Sequence, residues 1–393
     1  MKRAFTFIYI ALFCAILLVP GVMWISGIQE TRKSFENRKL AKLPTFNIAR
    51  LDPFPVQFDS CFNDHFPIRN SLIYSMNYVE ARFYNKSPQP NLVLVGTDGW
   101  LYPGGDEFEF VIGQKGISDT MISLIIAELN SRYEECQKLG AEFRVVIVPA
   151  KSTLYPEHLP LHYQMGEWEN PMQRILRRST LECKAPILYL LDSLKKHKSE
   201  QELYLKTDTH WNDAGAYYGY RSIMNWIYPA DAQKKLVPID FSTCTVSTNL
   251  GNLSAMLGLG DYWRDSMRVV KFNQTDLNVY DRYPEDYPCD TVRFNYCWEY
   301  ELAFQNTDTT LPGLLVIRDS FTNRMMRTML ASHFGRTTYI WDYWQHKLNK
   351  EIIQKEKPKV VLCIMNERFL LNFAKYPNNE ETSGFNYATP KYW

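Results

Sequence analysis

Short aliphatic and β-branched runs recur along this chain, at residues 92–95, 143–148, 187–190, 314–317, 337–340 and 360–364. Most are apolar without alternation, so both faces of each strand must be covered. Strands of that kind belong to parallel sheets with helices packed on both sides. Helical spacing fills the gaps. Met121, Leu124, Ile125, Leu129, Tyr133 and Cys136 predict a helix over 119–139 stopped by Gly140. The soluble part therefore reads as α/β with a mostly parallel sheet, and ligands of such sheets collect beyond the carboxyl ends of the strands.

A different constraint governs the N-terminus. Lys2 and Arg3 precede an uncharged run over residues 4–28. A bilayer-spanning helix needs about 20 apolar residues, so this run is long enough, and Pro20 and Gly21 do not exclude it. It carries no small-x-small cleavage pattern, which favours an uncleaved anchor over a removed signal. Lys2 and Arg3 place the tip in the cytoplasm and the rest outside, although Arg32, Lys33, Arg38 and Lys39 on the other flank oppose that orientation. The expected layout is a cytoplasmic tip and membrane anchor over 1–28, a proline-bearing arm with one helix over 29–90, and one large domain over 91–393. That domain would sit on the periplasmic or extracellular side of a single-pass membrane protein.

Charge narrows the partners. The 44 basic and 43 acidic residues leave a net charge of +1, which argues against a nucleic-acid binder. Tyr, Phe and Trp number 25, 22 and 10, enough to fill a core and still line a carbohydrate groove. Outside the membrane run the cysteines are Cys61, Cys136, Cys183, Cys244, Cys289, Cys297 and Cys363, an odd set. Spacing favours Cys289 with Cys297 as a disulfide. With no Cys-x2-Cys pair and scattered histidines, no metal site is expected.

Two stretches carry chemistry. In Thr207-Asp208-Thr209-His210-Trp211-Asn212 a carboxylate and an imidazole stand two residues apart, ahead of a helical segment. In Asp319-Ser320-Phe321 a serine follows the 314–317 run and precedes a second helical segment. Acyl transfer needs a hydroxyl, a base and an acid that orients the base. A bland alternative remains for each: Asp208 and His210 as a structural or metal-sharing pair, and Asp319 or Ser320 as a helix N-cap.

Asp208-Thr209-His210-Trp211-Asn212 with Gly215 resembles the signature of SGNH-hydrolase-like polysaccharide O-acetyltransferases of the alginate-acetylation type and their DHHW-family relatives. Similar blocks run in order: Phe35-Glu36-Asn37-Arg38, Asn63-Asp64-His65-Phe66-Pro67, Gly96-Thr97-Asp98-Gly99-Trp100, Gly251-Asn252-Leu253 and Asp319-Ser320-Phe321. The resemblance implies an α/β/α SGNH domain with Ser320 as nucleophile, His210 as base and Asp208 as its orienting acid. It implies a role for Asn63-Asp64-His65 in structure only. It further implies a polysaccharide acceptor, a multipass membrane O-acyltransferase as acetyl supplier, and no cofactor. Arg318 replaces the usual glycine before Asp-Ser, and Asn252 stands where the family often has aspartate. Asn323, Arg318, Trp211 and Arg368 are candidates for the oxyanion or substrate, with Arg368 alternatively ion-paired to Glu367. An acetyl-ester hydrolase using the same triad and a noncatalytic polysaccharide-binding protein are the competing readings.

Overall fold

The computed structural model describes residues 2–27, 40–46, 48, 52–164, 169–229, 236–287, 299–342 and 346–378. In chain order its strands are β1 (Val93–Val95), β2 (Leu101–Pro103), β3 (Glu142–Val148), β4 (Ile187–Tyr189), β5 (Thr245–Asn249) and β6 (Asp265–Val269), followed by β7 (Val279–Arg282), β8 (Glu301–Asn306), β9 (Gly313–Arg318), β10 (Arg336–Trp341) and β11 (Val360–Asn366). Seven of them form the main sheet, in the order β4-β3-β11-β9-β10-β8-β7. From β4 to β10 every neighbouring pair is parallel. β8 then pairs antiparallel with β10, and β7 antiparallel with β8.

The apolar runs dictate this arrangement through the two-residue period of a strand. Along β11, Val360, Leu362 and Ile364 enter one core cluster, while Val361, Cys363 and Met365 enter the other. Helices Asp213–Ile227 and Arg324–Ala331 cover the first face. Helices Asp119–Lys138, Pro171–Glu182 and Lys350–Glu356 cover the second. The Asp119–Lys138 helix starts where Ser118 caps the Met121 N–H at 3.2 Å, and the chain leaves it through Gly140 at φ 78°. The fold is thus α/β with a mostly parallel sheet covered by helices on both faces.

Three expectations change. The 92–95 run is β1, which pairs with β2 in a separate two-stranded antiparallel sheet and takes no part in the main one. Asp98 and Gly99, both at positive φ, fold it back on itself. The antiparallel pair β7 and β8 extends the main sheet beyond the runs that mark its centre. Among the described residues of 29–90 there are two helices, Pro53–Asp64 and Arg69–Phe83, where one was expected. Asn77 ties the second to the domain by donating to the Leu257 carbonyl at 2.7 Å.

At the N-terminus, the helix Lys2–Ile25 includes Phe5–Ile25, 21 residues that are apolar and almost wholly exposed. Such a segment is about 30 Å long, enough for the hydrocarbon core. Cys289, Cys297 and the Phe35-Glu36-Asn37-Arg38 block lie outside the described residues. Among the described cysteines, Cys14, Cys61, Cys136, Cys183, Cys244 and Cys363 are all free thiols.

Candidate active site

Ser320 follows the carboxyl end of β9, a strand hydrogen-bonded on both sides. The turn after it is held by Asp319, which is fully buried. Its Oδ1 accepts the Phe321 N–H at 2.9 Å, and its Oδ2 accepts the Asn366 N–H at the end of β11 at 2.7 Å. The serine is therefore locked between two strand ends. The helix itself begins later, at Arg324, and its N-cap is Asn323, whose Oδ1 accepts the Met326 N–H at 2.9 Å. That corrects the expectation of an N-cap at Asp319 or Ser320. Three further residues intervene before the helix can start.

His210 comes from a tight hairpin. Leu205 N–H donates to the His210 carbonyl at 3.1 Å and Asn212 N–H to the Leu203 carbonyl at 3.0 Å, leaving Thr207-Asp208-Thr209 at the tip. Asn212 then caps the next helix through the Gly215 N–H at 3.0 Å. Side chains hold the tip in place. Asp265 accepts the N–H groups of Lys206 and Thr207 at 2.9 and 2.8 Å. Asn252 exchanges two bonds with Thr209, each of 2.9 Å, and its backbone N–H donates to Asp208 Oδ2 at 2.9 Å. Gly251 allows this close approach, since a Cβ there would lie 2.1 Å from the Thr207 carbonyl oxygen.

These supports bring the three groups together. His210 Nδ1 lies 2.6 Å from Asp208 Oδ1, and Nε2 lies 2.7 Å from Ser320 Oγ. With Nδ1–H donated to the carboxylate, Nε2 is left to accept the hydroxyl proton. Burial alone would push the Asp208 carboxyl up. The His210 imidazole, together with the Asn252 and His210 N–H groups, outweighs it and holds the pKa down at about 2. His210 and Ser320 both keep part of their surface in solvent.

The remaining candidates are placed differently. Trp211 is buried, and its indole N–H donates to the Phe321 carbonyl at 2.7 Å, which pins the hairpin to the serine turn. Arg318 is 1% exposed, lies 4.5 Å over the Trp341 ring and donates to the Glu299 carbonyl at 3.0 Å. Burial and the neighbouring Arg327 lower its pKa to about 9. It packs inward and offers no cation at the surface. The Asn323 amide N–H donates to Asp213 Oδ1 at 3.1 Å. Arg368 does not pair with Glu367; it approaches Glu107 at 3.6 Å. Glu367 is instead occupied by Ala150 N–H at 2.9 Å, the Tyr189 hydroxyl at 2.5 Å and the Thr153 hydroxyl. His65 stands apart at the end of the Pro53–Asp64 helix, with Nδ1 3.0 Å from the Cys61 carbonyl oxygen. The support Asp265 carries no motif-level signal, because its role is visible only once the hairpin folds over it. Among the described residues no cluster of His, Cys, Asp and Glu is arranged to hold a metal ion.

Residues 93–279 match the family model of the SGNH hydrolase-like domain, acetyltransferase AlgX. The match takes in Asp208, His210 and Asn252 and ends before Ser320. The chain is 28% identical over 221 residues to the probable alginate O-acetylase AlgJ of Pseudomonas syringae pv. tomato, covering 55% of this chain and 51% of that protein. It is also 28% identical over 165 residues to the Pseudomonas aeruginosa AlgJ, covering 40% and 38%. The chain spans about half the length of the curated relatives it matches. Among solved structures, the O-acetyltransferase domain of Pseudomonas putida AlgJ superposes with a TM-score of 0.46 at 15% identity, over 74% of this chain and 95% of that one. Bacillus cereus PatB1 superposes at 0.47 and 18% identity, over 71% and 96%. Over residues 93–279 this chain is thus similar to the SGNH hydrolase-like domain of the acetyltransferase AlgX.

Proposed function

We propose that this protein is a polysaccharide O-acetyltransferase that works through an acetyl-serine at Ser320. The observation that carries the reading is the unbroken line of contacts from Asp208 through His210 to the Ser320 hydroxyl, at 2.6 and 2.7 Å. His210 Nε2 takes the Ser320 proton as Oγ attacks the carbonyl carbon of an acetyl donor. The tetrahedral oxyanion collapses, the donor's leaving group departs with the proton from His210, and acetyl-Ser320 remains. His210 next deprotonates a sugar hydroxyl, whose oxygen attacks the same carbonyl. Ser320 Oγ leaves and recovers its proton, and the product is an O-acetyl ester. Asp208 stays ionised throughout and steadies the imidazolium. For the oxyanion we assign the Ser320 backbone N–H, because the N–H groups of Phe321 and Asn323 are already taken by Asp319 Oδ1 and the Phe321 carbonyl.

The Ser320→Ala protein tests this reading. It keeps the fold and loses at least about 10⁴-fold in release of acetate from a chromogenic ester, and it shows no acetyl adduct on the Ser320 peptide by mass spectrometry. A well-folded Ser320→Ala protein with wild-type activity sinks the assignment. An adduct that passes only to water, never to a glycan, makes the protein an acetyl esterase with the same three residues.

The apolar Phe5–Ile25 helix supports a membrane anchor with the site on the periplasmic or extracellular side, beside a multipass acyltransferase that supplies acetyl groups and a glycan that receives them. A reporter active only in the cytoplasm, fused after Trp393, stays dark if this topology holds. A bright one rejects it.

A further inference from the structure

Lys151 follows β3 after Pro149 and Ala150, opens the short Lys151–Leu154 helix and is 1% exposed. Burying an ammonium is costly unless every N–H finds an acceptor. Here each of the three does. Lys151 Nζ donates to the carbonyls of Leu205 and Lys206 at 3.1 Å each, and to that of Asp208 at 2.7 Å. All three carbonyls belong to the hairpin that carries the base, 54 to 57 residues away along the chain. The mechanism above does not use this group. We propose that Lys151, as an ammonium, is a positioning residue for the Asp208–His210 pair.

The count of donors makes the charge matter. An ammonium has three N–H bonds for three carbonyls. A neutral amine has two, and its lone pair faces an oxygen. Losing the proton therefore removes one of the three bonds to the strip that ends at Asp208, whose carboxylate must stay 2.6 Å from the imidazole. Among the described residues only the Lys206 carbonyl of the three has a second donor, Leu101 N–H at 2.8 Å. A shift of about 1 Å at such a contact costs on the order of 10²-fold in rate. The groups facing Lys151 from the surrounding elements are the Trp100 and Tyr102 rings, at 5.7 and 5.2 Å, and the carboxylates of Asp208 and Asp265. The Lys206 ammonium sits 5.8 Å from the same Trp100 ring. Burial pulls the Lys151 pKa down to about 7 against the attraction of the two carboxylates. The two active-site requirements then run in opposite directions with pH. His210 must be neutral to accept a proton, and Lys151 must be charged to hold the hairpin.

This inference rests on the reading of Ser320 as nucleophile, and one set of measurements separates the two. The full-length protein in detergent is assayed for kcat/KM with a chromogenic acetyl ester across pH, as wild type, Lys151→Arg, Lys151→Met and Ser320→Ala. The wild type falls through a single ionisation centred near about 7 to a plateau at least about tenfold lower. Lys151→Arg, charged at every pH, loses that alkaline limb. Lys151→Met drops about 10²-fold in kcat at all pH values, with little change in KM and no limb. A wild-type profile flat above neutral pH overturns the proposal, even if both Lys151 variants fail to fold. So does a Lys151→Met protein that keeps the wild-type rate and limb. An active Ser320→Ala protein overturns the underlying reading of the nucleophile and the proposal with it, whereas an inactive one beside a flat profile overturns only the role of Lys151.

Discussion

Ser320 and His210 reach the same point by different physical means. Ser320 extends from a strand with hydrogen-bonded neighbours on both sides, and a buried aspartate bolts its turn to the next strand end. His210 stands on a hairpin outside the sheet, held by several side-chain hydrogen bonds with Asp265, Asn252 and Lys151 and by the Trp211 indole N–H on the Phe321 carbonyl. One position is maintained by continuous strand pairing in a packed core, the other by these side chains together with a few backbone bonds, from Leu101 N–H to the Lys206 carbonyl and from Leu253 and Ser254 N–H to the Thr207 carbonyl. Damage to the sheet should therefore cost stability and spare the chemistry. Damage to the hairpin supports should do the reverse.

The largest expected effect is at the hairpin's tip. Asp208→Asn preserves shape but removes the charge that fixes the imidazole tautomer, and kcat should fall by about 10⁴-fold with the fold intact by circular dichroism. A loss below about tenfold would mean that the hairpin backbone alone orients His210. The pH dependence follows with a definite sign. The folded pKa is depressed from 3.8 to about 2, so the carboxylate's contribution to stability is complete above the unfolded value and disappears as pH falls toward the folded one. That contribution is roughly 2 kcal/mol. The Asn variant should lack this acid-labile portion.

Next in size is a cut into the sheet. Leu315 is 2% exposed in β9, paired across to Thr338 and Val361 and packed in the core cluster opposite the Asp213–Ile227 helix. Leu315→Ala should cost about 2–5 kcal/mol of stability. Its kcat per folded molecule should stay within about twofold, because the bonds from Asp319 to Phe321 and Asn366 survive. Thermal unfolding and active-site titration of the same sample test both halves. A large loss of kcat in folded protein would show that the serine's position is as fragile as the base's.

The same contrast governs what could be read from residues alone. The run at 143–148 lies within Glu142–Val148 and that at 314–317 within Gly313–Arg318, because a strand buried on both faces writes its burial into consecutive apolar positions. The helix expected over 119–139 is Asp119–Lys138, marked by its apolar spacing and by Gly140. The site's two motifs are legible as local patterns, yet their meeting across 110 residues is a property of the fold. What was not legible is polar and long-range. Lys151 looks like any loop lysine, and Glu367 next to Arg368 invites an ion pair that the fold spends on Thr153 and Tyr189 instead. β7 and β8 evade notice for a related reason: at the sheet edge several of their positions are only partly buried, so no continuous apolar run forms.

The smallest expected effect probes one support at a time. Asn252 contributes three bonds to the hairpin, of which the backbone N–H to Asp208 Oδ2 survives any side-chain change. Asn252→Ala removes the other two and leaves the Thr209 N–H, on a residue 8% exposed, without its acceptor. An unsatisfied group of this kind costs about 1–3 kcal/mol, here spent locally on the orientation of the tip. The expected result is about a tenfold fall in kcat with a stability change near 1 kcal/mol. Asn252→Asp separates the bonds from the charge. Its carboxylate still accepts the Thr209 N–H and can take the Thr209 hydroxyl proton as a second bond, so the hairpin keeps its shape. The added negative charge lies beside Asp208 and makes that carboxylate harder to ionise. Near neutral pH, Asp208 starts from about 2 and has room to rise while staying charged, so the Asp variant should retain most of its activity. Equal loss in both variants would assign the effect to the amide itself. Wild-type rates in both would show that the hairpin does not depend on the Asn252 side chain, and its position would then rest on Asp265, Trp211, Lys151 and the backbone bonds at Lys206 and Thr207.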